Sequence, residues 1–316
     1  MHMLRASSDA AEVLDAAISN AAATTFDRLT RGLNRTETAV SVSHALDSLH
    51  GSIRRLETPE YAEALVALFY SVWYQPFQTN LAYSLIFQAI EEREAQLSSK
   101  RRLDIVDFGS GTLASGAGLA LAVLEAQARG VPVPGITVAL VEPSDAMTRT
   151  GPDIWGSFLA ANGHDVRVDL VACATEGHLG TVSISLQRVE DVCDIEMAPD
   201  SDRWLVAMHT YYGASKEGIK RDLARIGEVF EPEIGLFTCH YDNVAGVCDV
   251  SPFAGPAMHM PIPPLRMAGE LPRVTQWRRR LAEELGLSDD PRLTRPTEWD
   301  PERGYRDNRA ALFYSD

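Results

Sequence analysis

The sequence predicts an α/β protein built on a doubly wound, mostly parallel sheet with an all-helical extension ahead of it, on three observations. Residues 1–98 contain only helical patterns, whereas residues 99–250 alternate strand-length apolar runs with helical ones, the order that yields a parallel sheet with helices on both faces. The run Leu103–Phe108, with Asp107 near its end, enters a glycine-rich turn, Gly109-Ser110-Gly111, that leads into an alanine- and leucine-rich helix over about Ser115–Arg129. A second apolar run, Ile136–Val141, closes on Glu142 and Pro143. The expected organisation is a helical region over 1–98 that shapes a substrate lid or pocket, and a ligand-binding domain over 99–316 with a proline-rich loop at 251–264.

In the helical region, Ser8 is a candidate cap for a helix whose apolar stripe is Val13, Leu14, Ala17, Ile18 and Ala21, and a second stripe runs Val42, Leu46, Leu49, Ile53, Leu56. Thr58-Pro59 reads as a helix start that opens Leu65, Leu68, Phe69, Val72 and Trp73. Pro76 then ends or kinks that helix inside an aromatic stretch interleaved with Gln75, Gln78, Thr79 and Asn80. Rings mixed with uncharged amides suit either a small-molecule pocket wall or a buried helix junction. On the first reading Tyr74, Phe77, Asn80 and Tyr83 contact substrate.

Glycines at 109 and 111 let the backbone adopt left-handed conformations and approach a ligand closely. In a parallel sheet Glu142 would stand beside that loop, where a carboxylate can accept both hydroxyls of a ribose. Val106-Asp107-Phe108-Gly109-Ser110-Gly111-Thr112 and Val141-Glu142-Pro143-Ser144-Asp145-Ala146-Met147 resemble the first two signature motifs of class I S-adenosylmethionine-dependent methyltransferases. The resemblance implies S-adenosylmethionine as cofactor, leaving as S-adenosylhomocysteine. It places the Gly109–Gly111 loop around the methionine part, Glu142 on the ribose and Met147 against the adenine, with Asp107, Ser110 and Pro143 among the contacts. Thr112 stands where the family commonly has a third glycine, so the loop is expected to be tighter or differently aimed. A nicotinamide dehydrogenase also pairs a glycine turn with a later acid, but Glu-Pro-Ser-x-x-Met fits the methyltransferase pattern better. A domain that keeps the turn without a ligand is the other reading.

Farther along, a helix is expected near Asp153–Asn162 and a strand over Val166–Cys173, with Val182–Leu186 a further strand or half of a hairpin. The family's adenine-binding acid after its third strand would be Glu190 or Asp191. Trp204–Met208 and Ile234–Thr238 read as the fourth and fifth strands, delivering His209-Thr210-Tyr211-Tyr212 and Cys239-His240-Tyr241 to the carboxyl edge, where ligands bind in open α/β sheets. His209, which would also border the cofactor, is the first candidate for a general base and His240 the second; Tyr211, Tyr212 and Tyr241 would orient the acceptor. A helix over Pro272–Leu285 and strands near Arg292–Thr297 and Arg309–Tyr314 match the antiparallel ending of the family.

The formal charge of −15 disfavours nucleic acid, whose binders gain affinity by neutralising phosphates. The triplets Lys100–Arg102 and Arg278–Arg280 are expected on solvated helix ends or faces. Cys173, Cys193, Cys239 and Cys248 lack close spacing, so they predict reduced, mostly buried thiols and no metal site. No run reaches membrane-span length and no signal pattern opens the chain, which predicts a cytoplasmic protein. Together these observations predict N- or O-methylation of a small molecule such as an amine or amino acid in a biosynthetic role, with a homodimer left open. A protein or peptide methyltransferase and a non-catalytic methyltransferase-like assembly protein are the alternatives.

Overall fold

The computed structural model describes residues 5–55, 59–161, 166–169, 174–208, 216–240, 246–247, 249, 251–253, 258–260, 271–295 and 308–314. Its centre is a mixed sheet of nine strands in the order β3-β4-β5-β2-β1-β6-β7-β9-β8. Strands β1 (Arg102–Phe108), β2 (Gly135–Val141), β5 (Val182–Arg188), β6 (Ser201–Met208) and β7 (Ile234–His240) run parallel. At one end β9 (Asn308–Tyr314) runs antiparallel between β7 and the short β8 (Met258–Met260). At the other, β3 (Val166–Asp169) and β4 (Ala174–Leu179) extend the sheet as an antiparallel pair beyond β5. The parallel core with a reversed last strand is the doubly wound, mostly parallel sheet that the sequence predicts.

The hairpin alternative for Val182–Leu186 and the further-strand alternative both hold: β5 turns back from β4 and also pairs parallel with β2, Ile136 opposite Ile184. Val182, Ile184 and Leu186 share one face of β5 and are buried, whereas Ser183 and Gln187 on the other face are exposed. From β1 the chain moves to β2 and on to β5 on one side, then crosses from β5 to β6 on the other side of β1, so the loop after β1 lies at a topological switch point.

Helices α1 (Arg5–Leu29), α2 (Arg35–Arg54), α3 (Ala64–Trp73), α4 (Gln75–Glu92) and the one-turn α5 (Glu94–Leu97) precede the sheet. Their stripes join one apolar core that runs from Leu14, Ile18, Val42 and Leu46 through Phe69 and Leu81 to Ile105 and Trp204. The other face of the sheet packs Val106, Leu205 and Phe237 on Leu223, Ile226 and Phe230 of α8 (Lys216–Phe230). At the amino edge, Arg93 holds Asp202 through two bonds of 2.9 Å and Glu233 through one of 2.7 Å, tying the end of α4 to β6 and β7.

Helix α6 (Ala114–Ala128) follows the glycine turn, and α4 lies along it in the same direction. Near its start, a Cβ added to Gly118 would fall 2.6 Å from Ala82 Cβ and 2.9 Å from Thr79 O. Near its end, Arg129 bonds Glu91 at 2.8 Å and lies 4.4 Å over the Phe87 ring. Gly118 thus permits a backbone approach that any side chain would block.

Several expectations are corrected. The first helix runs from Arg5, so Ser8 lies inside it rather than capping it. The third begins at Ala64 instead of Pro59, which sits in the turn before it. The helix expected at Asp153 begins at Asp145 and continues through Gly151 and Pro152, forming α7 (Asp145–Ala161). Of the strand expected near Arg292–Thr297, the described Arg292–Thr294 is helical instead: Asp290 caps a one-turn helix, α10 (Pro291–Thr294), and β8 inside the proline-rich loop pairs antiparallel with β9. Arg278 is no solvated residue. On α9 (Pro272–Leu285) it is buried, its guanidinium 3.9 Å over Trp73 and donating to the Arg292 and Arg295 carbonyls at 2.9 and 2.6 Å. That cation is kept inside by ring and carbonyl contacts, and burial pulls its pKa down to about 9. Cys193, one of the four thiols expected to be mostly buried, is exposed.

Candidate cofactor site

The carboxyl edge of β1 and β2 is built by the glycine turn. Gly109 donates its N–H to Val141 O at 2.8 Å, tying the turn to the end of β2. Left-handed residues then alternate: Gly109 at φ 70°, Gly111 at φ 54° and Leu113 at φ 62°. The departure from the three-glycine pattern therefore falls at Leu113, two residues past Gly111, and not at Thr112. The regular spacing of two was the signal available in the sequence.

Glu142 faces this loop. Its carboxylate accepts Gly111 N–H and Ser144 N–H, each at 2.9 Å, and burial raises its pKa against those two bonds. A Cβ on Gly111 would lie 3.5 Å from Met147 Cε, so the buried Met147 closes the same edge from the first turn of α7. Pro143 is exposed beside them. Asp107 is buried one strand away and takes the Ser115 hydroxyl as donor through Oδ2; its Oδ1 has no partner. Burial, with the Glu142 charge adding to it and the Ser115 bond opposing, lifts its pKa to about 7. Ser110 and Thr112 are buried with unpartnered hydroxyls.

The helical region covers this edge. Ser144 Oγ donates to Tyr61 O at 2.7 Å, and the rings of Tyr61, Tyr70 and Tyr74 follow one another at 5.2 and 5.5 Å. Tyr70 donates to Gln78 Oε1 at 2.8 Å, and burial, with the Glu142 charge adding to it, raises its pKa. Tyr70, absent from the residues expected at the site, is thus beside Glu142. Tyr74 and Phe77 are half-buried at the α3–α4 elbow. Asn80 is buried with both amide atoms unpartnered. Tyr83 packs on Phe87, with Glu125, Arg129 and Glu91 as its charged neighbours, toward the later turns of α6.

After β5, Asp191 accepts Cys193 N–H at 2.8 Å and pairs with Arg225 at 2.9 Å. Glu190 is exposed, which leaves it the freer carboxylate of the two. His240 ends β7 opposite Asn308. His209, Tyr211, Tyr212 and Tyr241 lie outside the described residues. Among the described residues no cluster of three His, Cys, Asp or Glu side chains could hold a metal ion, and no helix is long and apolar enough to cross a membrane.

No family model and no curated protein matches the chain. Solved structures do. A putative class I S-adenosylmethionine-dependent methyltransferase from Listeria monocytogenes matches over 98% of this chain and 88% of its own, at 11% identity and a TM-score of 0.41. A loganic acid methyltransferase solved with S-adenosylhomocysteine matches over 77% and 94%, at 10% identity and a TM-score of 0.35. A methyltransferase from Geobacter sulfurreducens in complex with S-adenosyl-L-homocysteine matches over 72% and 89%, at 11% identity and 0.32.

Proposed function

We propose that the protein transfers the methyl group of S-adenosylmethionine to nitrogen or oxygen of a small-molecule acceptor. The observation that carries the reading is the Glu142 carboxylate spanning Gly111 N–H and Ser144 N–H at the switch point of the sheet, with Met147 against the loop. The residues fit the cofactor's parts. Glu142 is placed to accept ribose hydroxyls, Met147 offers an apolar face to the adenine, and Gly109–Gly111 leaves room for a close approach. Glu190 is the acid proposed for the adenine amino group.

The cofactor, when bound, supplies a methyl already activated on a sulfonium. The protein's work is then to align the acceptor and keep water away. The Tyr61–Tyr70–Tyr74 row and the α3–α4 elbow would exclude water, with Tyr74 and Phe77 giving apolar area to the acceptor. An N–H or O–H acceptor must lose a proton; His209 is proposed to take it at a ring nitrogen, with His240 as the second candidate and Tyr211, Tyr212 and Tyr241 orienting the acceptor. The net charge of −15 favours a neutral or cationic acceptor over a phosphorylated one.

Calorimetric titration with S-adenosylmethionine and S-adenosylhomocysteine tests the reading. Micromolar binding of both is expected. Binding of neither, with the protein folded, would refute the cofactor assignment and favour an assembly role.

A further inference from the structure

The first turns of α4 hold polar groups for which the fold offers no use. Because α4 and α6 run in parallel with Thr79 beside Gly118 and Glu91 beside Arg129, Gln75–Asn80 stand level with the start of α6 and the loop before it. Gln75 Oε1, Thr79 Oγ1 and both side-chain polar atoms of Asn80 are buried there without a partner, and these residues are at most 1% exposed. The neighbouring loop and strand end add Ser110 Oγ, Thr112 Oγ1 and Asp107 Oδ1 in the same condition. Each such atom costs the folded protein about 1–3 kcal/mol, and seven on α4, the end of β1 and the loop after it are too many for stray packing faults.

The kinds of atom identify the ligand chemistry. Asp107 Oδ1, Gln75 Oε1 and Asn80 Oδ1 are acceptors; Asn80 Nδ2 and the three hydroxyls can donate. A phosphate needs donors and positive charge, and residues 75–80 and 107–115 contain no lysine or arginine and one carboxylate. A zwitterion uses both sets: its ammonium takes the acceptors and its carboxylate the donors. We propose that Gln75, Thr79 and Asn80 of α4 belong to the cofactor site, where with Asp107, Ser110 and Thr112 they hold the amino-acid end of S-adenosylmethionine. The inference rests on the cofactor reading above, and it moves Asn80 from the acceptor wall to the cofactor. It also gives α4 a reason to carry amides and a hydroxyl where an ordinary packing helix would carry aliphatic side chains.

The test compares S-adenosylhomocysteine with 5′-methylthioadenosine, which lacks the amino-acid end, on wild type, Thr79→Val and Asn80→Leu, with Gln75→Met as a further near-isosteric variant. Each variant is expected to bind S-adenosylhomocysteine about tenfold to a hundredfold more weakly, the range for lost bonds to charged groups, while binding of methylthioadenosine stays within about twofold. Thermal unfolding of the variants without ligand gives a second readout. Replacing an unpartnered buried polar group by an apolar one of its shape should leave Tm unchanged or raise it. Equal losses for both ligands, no loss for either, or a lowered Tm in the variants would overturn the inference alone. Wild-type protein that binds neither ligand would overturn the cofactor reading and this inference with it.

Discussion

Asp107→Asn isolates the electrostatic cost of the loop. The wild-type carboxyl has an ordinary pKa near 3.8 and is lifted to about 7 in the fold, chiefly by burial and further by the charge of Glu142. The folded protein therefore binds this proton more tightly than the unfolded chain does. The stabilisation from that preference is complete below pH 3.8 and is lost as pH rises to about 7, above which both states are ionised. Three pKa units at 1.36 kcal/mol each put the loss at roughly 4 kcal/mol. Asparagine keeps an oxygen to accept the Ser115 hydroxyl and cannot ionise, so the variant escapes the loss. Urea unfolding at pH 5, 6, 7 and 8 is the assay, read as the difference between variant and wild type, which cancels every other titrating group. The variant should gain steadily on the wild type from pH 5 to 7 and level off by pH 8. A difference that is constant with pH would show that Asp107 is ionised throughout and refute the reasoning.

Three further outcomes are expected. Glu142→Ala removes the carboxylate from the Gly111 and Ser144 N–H groups, and calorimetry should show cofactor binding weakened by about 2–3 kcal/mol, the range for a bond to a charged group; unchanged affinity would remove Glu142 from the ribose. Replacing His209 by alanine should lower turnover while leaving cofactor affinity nearly intact, and full turnover would remove it as the base. Arg93→Ala strands the fully buried Asp202 and should cost about 3–5 kcal/mol in urea unfolding, whereas a loss under 1 kcal/mol would mean that water reaches the carboxylate.

The strand–turn–helix at the site was legible because its signals are local. An apolar run, glycines two apart and an alanine-rich helix need no knowledge of distant partners, and α6 runs over Ala114–Ala128 against an expected Ser115–Arg129. The ends of other elements were not local matters. β8 has three residues inside a proline-rich loop, and it is a strand because β9 supplies its hydrogen-bonding partner. Arg278 looked like one of three solvated arginines, because nothing in Arg-Arg-Arg tells which of them faces Trp73. The amides of α4 had the same ambiguity: Asn80 read equally as pocket wall or helix junction, and only its burial without a partner separates the two.

Leu113 shows how a local rule can be broken for a tertiary gain. A left-handed leucine costs roughly 1–2 kcal/mol that glycine would avoid, yet Leu113 is 1% exposed and belongs to the main apolar core. Full burial of a leucine side chain returns about 1.5–3 kcal/mol, enough to offset the strain. Glycine there would ease the turn but leave it unanchored. With leucine, the residue that ends the turn is fixed in the core, and Gly111 N–H is held toward Glu142 by a loop secured at both ends: Gly109 on β2 and Leu113 against Gly151 of α7. The departure from the three-glycine pattern thus stiffens the loop on which the proposed cofactor contacts depend.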